Sequence, residues 1–148
     1  MKKLFLCFAV AAICTAKGSA QGYSNFDNIG QYTFEILKNL DRLDREQFAT
    51  YWDKTLELAS QLGEEVPEDF TDDMYDRITD SGRQAGIKWR EIRFVRFEDM
   101  GFQEGDDGLL CRVGMLYVSH EGAVYKIKIK TLSHNGKYYL GQVKFRGL

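Results

Sequence analysis

Proline, histidine and cysteine are scarce in this chain of 148 residues, which has one proline, two histidines and three cysteines. With 44% hydrophobic and 14% aromatic residues, the composition excludes disordered, collagen-like and low-complexity proteins. No phosphate-binding loop, dinucleotide fingerprint, nucleophile elbow or paired-cysteine metal motif is present. The chain is therefore expected to form one globular domain, without a linker or an internal repeat.

The first 20 residues have the pattern of a secretory signal peptide. Lys2 and Lys3 give a positive start, residues 4–16 form an apolar run, and Gly18-Ser19-Ala20 supplies small residues at a cleavage site. The run is too short for a membrane-spanning helix, which needs about 20 apolar residues. We expect an exported protein, periplasmic or secreted, whose single domain comprises residues 21–148.

The positions of the cysteines indicate what kind of exported protein to expect. Cys14 would carry the lipid of a lipoprotein, but Ile13 stands where that signal requires a small residue. If the first segment is removed, Cys111 is the remaining thiol and no internal disulfide can form. The domain must then be stabilised by its core, for which its size is sufficient.

The N-terminal half predicts about three helices. An apolar stripe at helical spacing covers residues 26–40. Asp44 and Gln47 have the form of a capping box that begins a second helix over 44–62. Apolar side chains at steps of four predict a third, shorter helix over 70–78.

From residue 87 onward the apolar period changes to two, which is typical of strands. The predicted strands are 88–98, 109–119, 123–132 and 137–146. Short links containing glycine predict an antiparallel meander. Helices first and a sheet afterwards indicate an α+β fold, with the helices on one face of a four-stranded antiparallel sheet.

The distribution of charged residues also changes at about residue 87, where the helices give way to strands. Residues 21–86 hold 6 basic and 15 acidic side chains, whereas residues 87–148 hold 11 basic and 7 acidic. The domain is acidic as a whole, which argues against a nucleic-acid partner. The basic excess of the second half is concentrated in the third and fourth strands.

The third strand alternates apolar and basic residues, so that one face is apolar and the other carries ammonium groups. The apolar residues are Tyr125, Ile127 and Ile129, and the basic residues are Lys126, Lys128 and Lys130. We expect the apolar face to meet the helices.

The register of the last hairpin follows from these faces. A two-residue Asn135-Gly136 turn would place lysines opposite core residues of the fourth strand. A three-residue loop over 134–136 keeps the faces apart and sets Lys126 opposite Lys144. We therefore expect the longer loop. If 120–122 is a loop of the same kind, Arg112 points outward, and Cys111, Val113, Met115 and Tyr117 point inward; a two-residue loop there would invert this.

The outer face then carries a basic set: Arg112, Lys126, Lys128, Lys130, Lys144 and Arg146. Lysines opposite each other across strands are unfavourable by roughly 0.2 to 1 kcal/mol per pair. Either this face is solvated and keeps the protein soluble, or it contacts an anionic partner: an acidic protein, a second copy in a homodimer, or a polyanion such as a glycan. Leucine and tyrosine side chains among the cations favour a protein partner.

Candidate chemical groups are few. His120 and His134 sit at successive hairpin loops, which lie at opposite ends of a meander, so a shared metal or acid-base site is not expected. Cys111 has no base near it in the predicted register. An acidic stripe, Asp72, Asp73, Asp76 and Asp80, fits a solvated helix face. We predict no metal and no cofactor.

Three short segments of the chain are similar to segments found in a known protein family. They are the break and restart over 37–48, Gly86-Ile87-Lys88-Trp89, and the closing Asn135-Gly136-Lys137-Tyr138-Tyr139-Leu140. The chain resembles the nuclear-transport-factor-like superfamily, also called the cystatin-like α+β roll, and in particular small exported proteins of unknown function from Gram-negative bacteria. The resemblance covers nearly all of residues 21–148, through turn and core positions.

The resemblance implies a curved sheet wrapped on helices, a cone-shaped cavity between them, and frequent dimerisation through the outer sheet face. The candidate lining of such a cavity, which would take a small apolar ligand, is Trp52, Trp89, Tyr117, Tyr125 and Tyr139. For the two tryptophans, the alternative is a place in the core.

We predict a non-enzymatic binding or protein-interaction module. The alternative is a small cavity enzyme of the isomerase or hydrolase type, as found among relatives of the superfamily. Such an enzyme needs a buried carboxylate as acid or base. Only Glu91 on the first strand or a helix acid such as Glu35 is placed to supply one.

Overall fold

The computed structural model describes residues 22–104 and 110–148. The α+β prediction is confirmed: helices come first and an antiparallel sheet with strand order β1-β2-β3-β4 follows. The predicted signal peptide and the turn expected at 105–108 lie outside the described residues. No helix in the described ranges combines the length and apolarity needed to cross a membrane.

Four α-helices within the described ranges form the first layer. They are α1 (Asp27–Lys38), α2 (Arg45–Thr50), α3 (Asp53–Gln61) and α4 (Phe70–Ala85), with short 3-10 turns at Leu40–Arg42 and Trp89–Glu91.

The predicted capping box is confirmed at the start of α2. The Gln47 backbone N–H donates to the Asp44 carboxylate at 2.8 Å, and the Asp44 N–H donates to the Gln47 side-chain oxygen at 3.0 Å. The predicted second helix is divided at Tyr51 and Trp52, where the chain turns and the fully buried Trp52 ring reaches the sheet.

The third predicted helix is longer than expected. α4 continues through Gly82. The absence of a side chain at Gly82 leaves room for the Trp89 ring, since a Cβ built there would come within 2.6 Å of that ring. Gly86 then ends the helix in the left-handed conformation.

The strands are β1 (Arg93–Glu104), β2 (Leu110–His120), β3 (Ala123–His134) and β4 (Lys137–Gly147). β1 begins later than predicted, because the Trp89–Glu91 turn precedes it. The isolated bridge between Tyr23 and Tyr138 adds the start of the described chain to the β4 edge, with backbone hydrogen bonds of 2.8 and 2.7 Å.

The predicted three-residue loop over 134–136 is wrong, and the loop after His120 takes its two-residue alternative. His120 pairs with Ala123 and His134 pairs with Lys137, so each loop has two residues. Glu121-Gly122 and Asn135-Gly136 have positive φ at both positions. Two such residues form the tight turn that matches the twist of the flanking strands.

The two-residue turn at 135–136 keeps charge and core apart because β4 contains a bulge. Thr131 pairs with Leu140 and Ile129 pairs with Val143, so Gly141 and Gln142 together face Lys130. The extra residue shifts the register by one and returns Val143 to the apolar face. The expected facing of Lys126 and Lys144 is also wrong, since Lys128 pairs with Lys144.

The helices lie against one sheet face, and the core fills the space between the two layers. Its largest fully buried side chains include Phe48 and Trp52 from the helical layer and Leu116 and Ile127 from the sheet. The Trp52 Nε1–H donates to the Gly141 carbonyl at 2.5 Å, so the bulge also satisfies the buried indole.

We expect Gly141→Ala to destabilise the fold by about 1–3 kcal/mol. The new Cβ would lie 2.8 Å from the Lys130 carbonyl oxygen, which is backbone and cannot rotate away. Urea unfolding measures the change, and Gln142→Ala, at the exposed neighbour in the same bulge, is the matched control. Equal stability of the two variants would contradict this account of the bulge.

Candidate functional site

The outer sheet face is the candidate site, and four of its lysines define what we call the basic face: Lys126, Lys128, Lys130 and Lys144. The three lysines of β3 alternate with the buried Tyr125, Ile127 and Ile129, and Lys144 follows the buried Val143. They therefore point away from the helices, as predicted. Arg146 is exposed beside them at a second irregularity near the end of β4.

The basic face forms no salt bridge in the part of the chain that the structure describes. None of its four lysines lies within salt-bridge distance of a carboxylate in residues 22–104 or 110–148, and neither does Arg146. Lys128 and Lys144 are direct cross-strand partners. No salt bridge in the described chain offsets their mutual repulsion.

Apolar and aromatic side chains of β2 border the basic face. Met115 pairs with Lys128 and Tyr117 pairs with Lys126. The Arg96 guanidinium lies 4.0 Å from the centre of the Tyr117 ring, and the Tyr117 hydroxyl donates to Glu98 at 3.2 Å. Charge and apolar surface are thus mixed on this face.

Arg112 does not lie on the outer face, contrary to expectation. The two-residue turn at 121–122 inverts the faces of β2, so Leu116 and Val118 enter the core, whereas Met115 and Tyr117 face outward. Cys111 and Val113, which were also expected to point inward, share the parity of Met115, although Val113 is fully buried there. The structure thus adopts the two-residue loop at 121–122, which was the alternative to a three-residue loop over 120–122.

On the helix side, Arg112 is held by three kinds of contact. Its guanidinium forms an ion pair with Asp99 of β1 and donates to the Tyr138 hydroxyl at 2.6 Å. It also lies 4.6 Å from the centre of the Phe26 ring and 5.6 Å from that of Phe102. These contacts join β1, β2, β4 and the residue before α1.

The Asp99–Arg112 pair changes the acidity of both groups. The hydrogen bond from Arg112 is the main cause that holds the pKa of Asp99 below its usual range. The same hydrogen bond, which the Asp99 carboxylate accepts, raises the pKa of Arg112. Asp99 is therefore a weak base, and Arg112 is a fixed cation engaged within the fold.

The candidate cavity residues are divided between the two faces. Trp52, Trp89 and Tyr125 belong to the buried core. Tyr117, opposite Lys126, and Tyr139, opposite Leu132, lie on the outer face of the sheet. A surface groove of about 630 Å³ lies along α4, and Trp89 is the one member of the predicted lining among its residues. Polar residues dominate that groove, including Asp41, Arg45, Asp76, Asp80 and Arg83.

The carboxylates named for the enzyme alternative lie at the surface. Glu91 is exposed in the turn before β1, and Glu35 is exposed on α1. Desolvation raises the pKa of Glu35, against the lowering effect of Lys38. Neither carboxylate accepts a hydrogen bond from a tyrosine in the described ranges, so the arrangement that would favour catalysis is not found there.

His120 lies in a buried environment that was not predicted from the sequence. It is 4% exposed, and its Nε2 accepts the Lys88 backbone N–H at 3.2 Å. Its Nε2 lies 3.8 Å from a Glu91 oxygen. The signal was available in the turn length, because a two-residue loop directs His120 inward.

Comparisons of this chain with protein-family models, with curated proteins and with solved structures give no match. The resemblance to the nuclear-transport-factor-like superfamily stays a prediction. Function must therefore be argued from the residues of the site itself.

We expect Asp99→Asn to lower the free energy of unfolding at pH 7 by about 1 kcal/mol, since solvent screens this half-exposed pair. The folded-state pKa of Asp99 is lowered, so its stabilising contribution is present above the ordinary carboxyl value of 3.8 and is lost as pH falls through the folded-state pKa. Thermal unfolding from pH 7 to pH 2.5 measures this, with Glu98→Gln as control. A stability difference that stays constant with pH would contradict the ion pair.

We expect Lys144→Glu to raise the free energy of unfolding by roughly 0.2–1 kcal/mol, because it replaces a like-charge pair with Lys128 by an opposite-charge pair. Lys137→Glu, opposite His134 at the turn, is the control and lacks a facing lysine. Urea unfolding compares the two variants. A fall in stability for Lys144→Glu would show that the facing lysines do not repel.

Proposed function

We propose that this chain is an exported, non-enzymatic binding module whose basic face docks an acidic segment of another protein. The observation that carries the proposal is the pair Lys128 and Lys144, which face each other without a carboxylate partner in the described chain. An arrangement that costs folding free energy suggests a use outside the fold, since surface substitutions readily remove it.

Solubility alone explains this arrangement less well. Lysines that prevent aggregation are placed on edge strands, where unpaired backbone groups are exposed. Lys126, Lys128 and Lys130 lie on β3, which is paired on both sides by β2 and β4. Their concentration on a central strand supports a recognition surface.

The spacing of the lysines favours an extended acidic polypeptide. Side chains two residues apart on one strand face are about 7 Å apart. An extended partner with carboxylates at alternate positions has the same period, so Lys126, Lys128 and Lys130 can each meet one. Met115 and Tyr117 beside this row offer apolar contact, which a protein partner can use.

The acidic helix face of a second copy fits less well. Asp73 pairs with Arg77, Asp76 with Arg45, and Asp80 with Arg83. Docking the basic face on α4 would have to compete with these pairs. An acidic segment of a different protein, without its own arginines, is the better electrostatic match.

Binding to a labelled 12-residue peptide that alternates glutamate and threonine tests the proposal by fluorescence anisotropy at low and at physiological salt. We expect saturable binding that weakens with salt, and a Kd at least about tenfold higher for the Lys128→Glu/Lys144→Glu variant, since each like-charge contact with the peptide costs free energy. The Lys54→Glu/Lys137→Glu variant matches the charge change elsewhere and should bind as the unmodified protein does.

Two outcomes would refute the proposed partner. One is equal binding by both double variants, which would mean that only net charge matters. The other is binding of a heparin fragment without binding of the peptide, which would assign the face to a glycan.

A further inference from the structure

A histidine and two glutamates converge at the end of the β2–β3 hairpin, away from the residues of the basic face. Glu91 comes from the turn before β1, His120 ends β2, and Glu121 is the first residue of the hairpin turn. Their ligand atoms all lie within 4.8 Å of one another. The chain separation of Glu91 from the hairpin means that folding brings them together.

One of the three side chains is buried and two are exposed, which suits the binding of an ion. His120 is 4% exposed, so its imidazole is fixed by packing, whereas both glutamates are exposed. A rigid imidazole and two carboxylates that can adjust by rotation are able to close around an ion. Tetrahedral coordination at about 2.0–2.2 Å brings ligand atoms to roughly 3.4 Å from each other, so a contraction of at most about 1.4 Å is sufficient.

The local charge favours a cation. No lysine or arginine in the described ranges lies within salt-bridge distance of Glu91 or Glu121. The contact of Glu91 with His120 Nε2, at 3.8 Å, is an ion pair only when the imidazole is protonated. Two carboxylates beside a neutral imidazole leave negative charge that a divalent ion would neutralise.

The ligand set selects the class of ion. Calcium and magnesium prefer oxygen ligands throughout, whereas an imidazole nitrogen suits zinc and its neighbours among the transition metals. Three protein ligands of the His and carboxylate kind, with a water in the fourth position, are a recurring arrangement for zinc. We propose that Glu91, His120 and Glu121 form a binding site for Zn²⁺.

Binding requires one local rearrangement. His120 Nε2 accepts the Lys88 N–H at 3.2 Å, and a metal bound at Nε2 would replace that hydrogen bond. The Lys88 N–H would then need a water molecule as its acceptor. The ion would then connect the turn before β1 to the β2–β3 hairpin.

Calorimetric titration of the purified, untagged protein with ZnCl₂ tests the site, and the visible spectrum with CoCl₂ reports its geometry. We expect one saturable Zn²⁺ site, a thermal unfolding temperature that rises with Zn²⁺ but not with equal CaCl₂ or MgCl₂, and tetrahedral Co²⁺ bands. Glu91→Gln/Glu121→Gln should weaken Zn²⁺ binding about tenfold or more, because it removes both anionic ligands.

Both glutamates are exposed, so that double variant tests the site even if His120→Asn fails to fold. His134→Gln, at the other hairpin, is the matched control and should bind Zn²⁺ unchanged. The proposal is overturned by the absence of a saturable site, by full Zn²⁺ affinity in the double variant, or by loss of affinity in His134→Gln.

Discussion

The extra residue at Gly141-Gln142 of β4 is the constraint on which the sheet depends. The Asn135-Gly136 turn alone would set the lysines of β3 opposite the core residues of β4, and one more residue opposite Lys130 restores the match of apolar with apolar side chains. The bulge places the Gly141 carbonyl where the buried Trp52 indole can donate to it. One backbone irregularity therefore secures the register, the burial of a tryptophan and the separation of the two faces.

The same register determines the electrostatic character of the two faces. With two-residue turns, β2 directs Arg112 toward the helices, where Asp99 and Tyr138 engage it, and directs Met115 and Tyr117 outward. Cations on the helix side are thus neutralised inside the fold. Those of the outer face are left without a partner in the described chain, and this contrast between Arg112 and Lys128 is what separates a structural cation from a candidate recognition group.

Much of the architecture could be predicted because its signals are local. The capping box at Asp44 and Gln47, the alternation along β3 and the glycine-containing turns each act within a few residues. The hairpin registers could not be predicted in the same way. A two-residue turn with a bulge and a three-residue loop both keep the lysines out of the core, and the bulge of the first arrangement is in contact with Trp52, which lies 89 positions from Gly141 in the chain.

The sequence by itself determined the α+β class and the basic character of β3, because periodicity and composition within a strand decide which side chains share a face. Only the tertiary structure decided which cation lacks a carboxylate partner in the described chain, which is held by Asp99, and where His120 lies. Those outcomes depend on one-residue shifts between strands and on the approach of Glu91 and Lys88 to a distant hairpin. Such contacts are set by packing across the whole core, and no short segment encodes them alone.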